Sequence, residues 1–318
     1  SVVGKLTVNN AENQDWEALT KDEEGNVYIG DFGNNLNKRR QLVIYKIAAA
    51  DLQPGQSVDS EKITFTYEDQ KGYPPGFENW HYDVEAMVVL EDEIHLFTKN
   101  RGRPFNGYTY RYTLKNEAGL QQAVRVDSLN LGVDGIREEF WVSSAYYDYQ
   151  EKSLALLSYQ RLFLIPNWQG GSLGDVSSEY RMTILRQREA LAKVNDEWYT
   201  TEESGGDHLA HFYHLDLEPD TLFLHKKVVY TLLVLRGFTS DSCRMQYEVF
   251  DELGRRMLYG IDSTYSQGRL IKKYDVRELP KGDFVFFAKC GEAKKAFTFS
   301  KRTAQSKAIL TPADPGRK

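Results

Sequence analysis
Apolar positions along this chain fall in short runs bounded by Gly, Asn, Asp and Pro, and no stretch sustains the 3.6-residue period of an amphipathic helix over a useful length. The runs repeat. A small-residue segment, a turn, an apolar segment ending in polar residues, a loop and an aromatic-rich segment follow one another four times. The first copy takes residues 15–19, 27–31 and 42–47, and the second 83–87, 94–99 and 108–112. A degenerate third copy runs through 141–145, 154–159 and 162–165, and the fourth through 187–191, 197–202 and 211–215. Outer strands at 63–67, 123–129 and 180–185 complete the first three copies. Four short strands per repeat, with the second strand apolar on both faces, predict the blades of a β-propeller.

The fourth copy lacks an outer strand, and residues 2–8 form a strand ahead of the first. Closure of the ring by that N-terminal strand would satisfy both free edges. The chain then carries four blades, with a five-blade parent as the alternative. From Lys226 the texture changes to strands at 228–235, 245–250, 256–261, 270–276, 283–289 and 294–300, the pattern of a small immunoglobulin-like β-sandwich. The expected fold is all-β, with a propeller at 1–222, a sandwich at 223–301 and a flexible polar tail at 302–318.

Charge sharpens this division. Net charge over the 318 residues is −6, but residues 1–225 hold 21 Lys and Arg against 36 Asp and Glu, whereas residues 226–318 hold 19 against 10. An acidic body is a poor host for nucleic acid and a good one for cations. No apolar run is long enough to span a membrane, and no charged leader with an apolar core opens the chain.

The segments Asp15-Trp16-Glu17-Ala18, Ile29-Gly30-Asp31-Phe32-Gly33-Asn34-Asn35 with Arg39-Arg40, and Leu96-Phe97-Thr98-Lys99-Asn100-Arg101 resemble secreted β-propellers of Bacteroidetes, over roughly residues 9–217. Members of that group carry a further blade before the Asp-Trp-Glu motif. The C-terminal part, through Tyr247-Glu248-Val249-Phe250-Asp251-Glu252-Leu253-Gly254-Arg255 and Leu279-Pro280-Lys281-Gly282-Asp283-Phe284, resembles the sorting domain of the type IX secretion system. It departs from that pattern by having no Pro-Asn-Pro entry motif and by continuing past Lys301. The resemblance implies passage across the outer membrane, secretion or surface location, and the secretion machinery as a partner.

Propeller geometry brings the starts of inner strands and the ends of second strands to one face. Glu17, Glu85, Ser144 and Glu189 then converge near Asp31, Lys99, Tyr159 and Glu202, with Asn34 and Arg101 on the rim. Glu17, Glu85 and Glu189 can hold Ca²⁺ through oxygen ligands, and such an ion can activate water for a lactonase- or phosphoesterase-type hydrolysis. Alternatively each carboxylate accepts hydrogen bonds from backbone or a neighbouring Arg and staples the ring. Asp31, Asn34, Lys99, Arg101, Ser144, Tyr159 and Glu202 are the candidate ligand-binding residues of a surface binding or scaffold module for a glycan, small molecule or protein. Trp80 and Trp168, at loop positions, are candidate stacking platforms.

His208, His211 and His214 have metal-like spacing, but strand alternation turns His211 away from the other two. Cys243 and Cys290 are either bonded or two buried thiols. No G-x-S-x-G, P-loop, G-x-G-x-x-G or H-E-x-x-H motif occurs, and the acidic part has no cysteine nucleophile. Catalytic residues are therefore not assigned.

Overall fold
The computed structural model describes residues 4–302 except 134–135, 175, 177, 183–186, 204–211, 216–221, 225–227, 230–231, 240–241, 266–267 and 292. The chain divides into two compact units, Ser1–Pro219 and Asp220–Lys318. Among the described residues both are all-β apart from three short 3₁₀ turns in the first.

The first unit is built of four successive meanders. Strands Trp16–Lys21, Val27–Asp31, Leu42–Ile47 and Glu61–Tyr67 form the first, and Val84–Leu90, Glu93–Thr98, Tyr108–Lys115 and Gly119–Asn130 the second. Val142–Asp148, Ser153–Ser158, Arg161–Ile165 and Ser178–Arg181 form the third, and Arg188–Val194, Glu197–Glu202 and Phe212–Leu215 the fourth. Within each meander consecutive strands pair antiparallel. Gly119–Asn130 serves two neighbours. Its first half runs parallel to Glu61–Tyr67 and its second half antiparallel to Tyr108–Lys115, which fuses the first two meanders into one eight-stranded sheet.

Packing follows the hydrophobic pattern. The first strands lie side by side in chain order, each against the next. Between the first and second meanders sit Tyr28, Ile44, Phe65, Met87, Leu96 and Tyr112; between the second and third, Val88, Phe97, Val142, Leu156 and Phe163; between the third and fourth, Leu157, Leu162, Leu191 and Leu215. Each such large side chain contributes about 1.5–3 kcal/mol by leaving water.

Among the described residues, the N-terminal strand does not pair with the fourth meander as expected. Thr7–Val8 pairs in parallel with Ser57–Val58, beside the first meander. The reason is apolar cover: Leu6, Val8 and Ala11 pack on Ile29, Tyr45, Ile47 and Val58, the face that the second meander leaves open. Asn10 locks the contact by donating to the Ser60 carbonyl and accepting from the Ser60 amide, at 2.8 and 2.9 Å.

In the second unit, a five-stranded sheet contains Val228–Val229, Ala293–Lys301, Gly282–Cys290, Cys243–Asp251 and Arg256–Tyr265 in that order. A three-stranded sheet contains Leu222–Leu224, Leu232–Thr239 and Gly268–Asp275. Leu233, Leu235, Leu270 and Tyr274 of the smaller sheet share one core with Met245, Val249, Phe284, Phe286 and Phe299 of the larger. Cys243 and Cys290 are disulfide-bonded, with Cα atoms 5.3 Å apart, which resolves the two sequence alternatives. No helix among the described residues is long and apolar enough to cross a membrane.

Candidate functional site
On the first strand of every meander the ladder slips by one residue at the same place. Trp16 pairs with Asp31 and Ala18 with Gly30, so Glu17 is the extra residue. Val84 pairs with Thr98 and Ala86 with Phe97, which isolates Glu85. By the same count Ser143 and Glu189 are the bulged residues of the third and fourth strands. A bulge re-aims its side chain out of the alternating pattern, and four of them at equivalent positions gather four side chains. The register therefore moves the third member of the set from Ser144, which pairs with Leu157 in the ladder, to Ser143.

Backbone hydrogen bonds extend the equivalence. Gly33 N donates to Asp15 O, Lys99 N to Asp83 O and Glu203 N to Gln187 O, at 3.2, 2.7 and 3.0 Å. Asp15 and Asp83 thus stand at one repeat position, two residues before their glutamates, and Gly33 and Lys99 at another.

The three glutamates converge. One carboxylate oxygen each from Glu17, Glu85 and Glu189 lies within 4.8 Å of the others. Lys99 extends from the second meander so that Nζ donates to Glu85 Oε1 and Oε2 at 2.5 Å and to the Tyr159 hydroxyl at 2.8 Å. Its ammonium also lies 4.7 Å from the Tyr159 ring centre and 5.6 Å from that of Trp141. Arg101 Nε donates to Asp83 Oδ2 at 2.5 Å, its Nη2 lies 3.6 Å from Glu85 Oε1, and the guanidinium stacks 4.7 Å above Trp141. Arg101 also donates to Asn35 Oδ1.

Charge in this ring is unbalanced: Asp15, Glu17, Asp83, Glu85 and Glu189 face Lys99 and Arg101. Burial, followed by the fields of Asp15, Asp83 and Glu189, pushes the Glu17 carboxyl up to about 8. Burial also raises Glu189, against the opposing pull of Lys99. Burial works against the Lys99 ammonium, but the Glu85 carboxylate outweighs it and holds the lysine charged. Burial raises Tyr159 to about 12, so its hydroxyl stays protonated at neutral pH. Among the described residues, two buried oxygens of the ring find no hydrogen-bond partner, Glu189 Oε2 and the hydroxyl of the fully buried Ser143.

The other expected residues frame this ring. Asp31 is buried, accepts from the Asp15 amide at 2.9 Å and pairs with Arg39 at 3.1 Å. Asn34 links two meanders, its amide donating to Asp83 Oδ1 at 2.8 Å and its side chain to Tyr82 O at 3.1 Å. Glu202 is buried opposite Arg188 in the ladder. Trp168 is no surface platform. It is buried in the core beneath Arg111, donating Nε1 to Gly171 O at 3.0 Å, because its loop folds back over His95 and Tyr147. Trp80 is half-buried, its ring 4.8 Å from that of exposed Phe77. His208 and His211 lie outside the described residues; His214 is exposed and 3.9 Å from Glu197. Asp15, Asp83, Ser143 and Gly33 were not among the expected site residues, although the pattern Asp-x-Glu at both 15–17 and 83–85 is a visible signal for two of them.

No family model matches the chain, and no curated protein does. Among solved structures it is similar to PorZ, a surface component of the type IX secretion system of Porphyromonas gingivalis, at 11% identity and a TM-score of 0.33 over 91% of this chain. The chain spans only 39% of the length of PorZ. It is also similar to an exo-β-1,3-galactanase of Phanerochaete chrysosporium, at 8% identity and a TM-score of 0.38 over 89% of this chain and 94% of that one. A third similar structure is dimeric latent PorU of Porphyromonas gingivalis, at 10% identity and a TM-score of 0.27, covering 93% of this chain and 33% of PorU.

Proposed function
We propose that the first unit is a β-propeller, its four meanders acting as blades, and that it serves as a surface binding module taking ligands at the ring of bulged residues. The carrying observation is the convergence of Glu17, Glu85 and Glu189 within 4.8 Å around a single lysine. A rigid sheet scaffold that concentrates acid at one point, and leaves Glu189 Oε2 and Ser143 Oγ without partners, is organised to receive a group that supplies positive charge or hydrogen-bond donors. The second unit, as an immunoglobulin-like sandwich, serves export or surface attachment, which agrees with a disulfide that persists in oxidising surroundings.

The test of the binding role is a melting-temperature screen with metal ions, amines and oligosaccharides, run on the native protein and on Glu17→Gln. At least one ligand is expected to stabilise the native protein and not the variant; a screen in which no ligand tells them apart overturns the reading. For the second unit, an extracellular form cut near residue 220 in the native host supports export, and an intact cytoplasmic pool refutes it.

The spacing of the three carboxylates also favours a second reading, a Ca²⁺-dependent hydrolase. Elemental analysis of the purified protein and turnover of lactone and phosphoester substrates decide it. Metal that co-purifies and is lost in Glu85→Gln supports this reading, and absence of both metal and turnover removes its mechanism.

A further inference from the structure
The internal repeat of the first unit shows what kind of ligand the ring lacks. In the second meander Asp83 and Glu85 are matched by two cations from one loop, Arg101 on Asp83 and Lys99 on Glu85, at 2.5 Å each. The first meander repeats the acids, Asp15 and Glu17, on a strand with the same bulge. Counted from the amide that donates to the aspartate carbonyl, the first meander carries Gly33 and Asn35 in place of Lys99 and Arg101; counted along the strand ladder it carries Phe32 and Asn34, and neither count supplies a cation. Gly33 is held there by contact: a Cβ on it would lie 2.8 Å from Glu17 Oε1 and closer still to Asp15. Asp15 and Glu17 are both half-buried, so they are open to a group arriving from outside.

From this asymmetry we infer that the Asp15–Glu17 pair is a seat for the ammonium or guanidinium group of a basic side chain, presented by a partner peptide or protein. The inference rests on the reading of the ring as a binding site and names its ligand chemistry. An ammonium carries three donors, and the structure shows how this scaffold receives one: Lys99 bonds two carboxylate oxygens and a hydroxyl. The remaining half of the ring offers a similar acceptor set. Glu17 and Glu189 supply carboxylates, and Ser143, fully buried with its hydroxyl unpartnered at the equivalent bulge, supplies the hydroxyl. A divalent metal ion fits less well, since it needs the Glu85 carboxylate as a third ligand and Lys99 engages that group through both oxygens, whereas an ammonium can be held by the acceptors that remain.

The probe is Nα-acetyl-lysine methylamide, with the norleucine analogue as its neutral isostere and Ca²⁺ as the competing occupant, each titrated by NMR against the full chain. The lysine probe is expected to bind saturably and the norleucine probe not. Glu17→Gln is expected to weaken the lysine probe about tenfold or more, the worth of one charge-assisted hydrogen bond. Glu17→Gln keeps the size and shape of the side chain and so does not threaten folding, and Glu189→Gln, which removes the other carboxylate of the seat, gives an independent check and is expected to weaken the lysine probe as well. Equal binding of the lysine probe to the native protein and Glu17→Gln overturns the seat. Saturable binding of Ca²⁺ or a neutral sugar that Glu17→Gln abolishes, with no binding of the lysine probe, overturns the ammonium assignment and leaves the binding role standing. If nothing in the titration responds to Glu17→Gln, both fall.

Discussion
The Lys99 ammonium lies 2.5 Å from both carboxylate oxygens of Glu85, and both side chains are almost wholly removed from solvent. A buried pair of this kind is a weak source of net stability, because desolvating two charges offsets their attraction. Breaking it is a different matter. Lys99→Met strands the Glu85 charge beside Asp83, Glu17 and Glu189, and is expected to cost about 3–5 kcal/mol in urea unfolding. The double variant Lys99→Met with Glu85→Gln should recover most of that loss. If the double variant is as unstable as the single one, packing of the lysine stem and not its charge explains the effect.

Glu17 gives the first unit a pH dependence of definite sign. Its folded pKa of about 8 stands above the ordinary carboxylate value of 4.5 because burial and three neighbouring carboxylates disfavour the ionised form. The folded state therefore binds a proton that the unfolded state releases, and stability is full below pH 4.5 and declines as pH rises toward 8. Solvent reaches this half-buried carboxyl and screens part of the effect, leaving about 2 kcal/mol across the window. Urea unfolding between pH 5 and 9 should show this decline in the native protein and a flatter profile in Glu17→Gln. Parallel profiles would mean that Glu17 ionises freely in the folded state.

Much of this arrangement is legible in the sequence, and what is not has identifiable causes. Alternating apolar runs at repeated spacing place nearly every strand of the first unit, since burial on both faces of a second strand leaves little choice of residue. The glutamates are legible for the same reason: a charge at the head of an apolar strand stands out. Ser143 is hidden because a bulge inserts one residue without any compositional mark, and Ser143 and Ser144 are chemically alike. The pairing of Thr7–Val8 with Ser57–Val58 is decided by which apolar face is left uncovered, a property of the assembled meanders and not of the segment itself. Trp168 sits among loop residues in the sequence, yet cation–π contact with Arg111 and a bond to Gly171 draw it inside.

Gly33 tests how tightly the ring is packed. An added methyl group meets the carboxylates of Asp15 and Glu17, and relief requires pushing two acids toward three others. Gly33→Ala is expected to cost about 1–3 kcal/mol, in the range of overpacked sites. Combining it with Glu17→Gln should lessen the penalty, because the amide tolerates closer approach to Asp15 and Glu189. Equal penalties in the two backgrounds would place the strain in the loop backbone and not between the carboxylates.

The Cys243–Cys290 disulfide allows the two units to be perturbed separately. It links positions separated by 47 in the sequence within the larger sheet of the second unit, joining the first residue of one strand to the last residue of its antiparallel neighbour. Cross-links of this size restrict the unfolded chain and stabilise by about 2–4 kcal/mol. Replacing both cysteines with serine should therefore lower the melting transition of the second unit, and the hydroxyls left in its core add a desolvation cost. The bulged ring of Glu17, Glu85 and Glu189 belongs to the other unit, so ligand-dependent shifts that depend on Glu17 should persist unchanged in the cysteine-free variant. Calorimetry in which the two transitions move together would instead show that the units unfold as one.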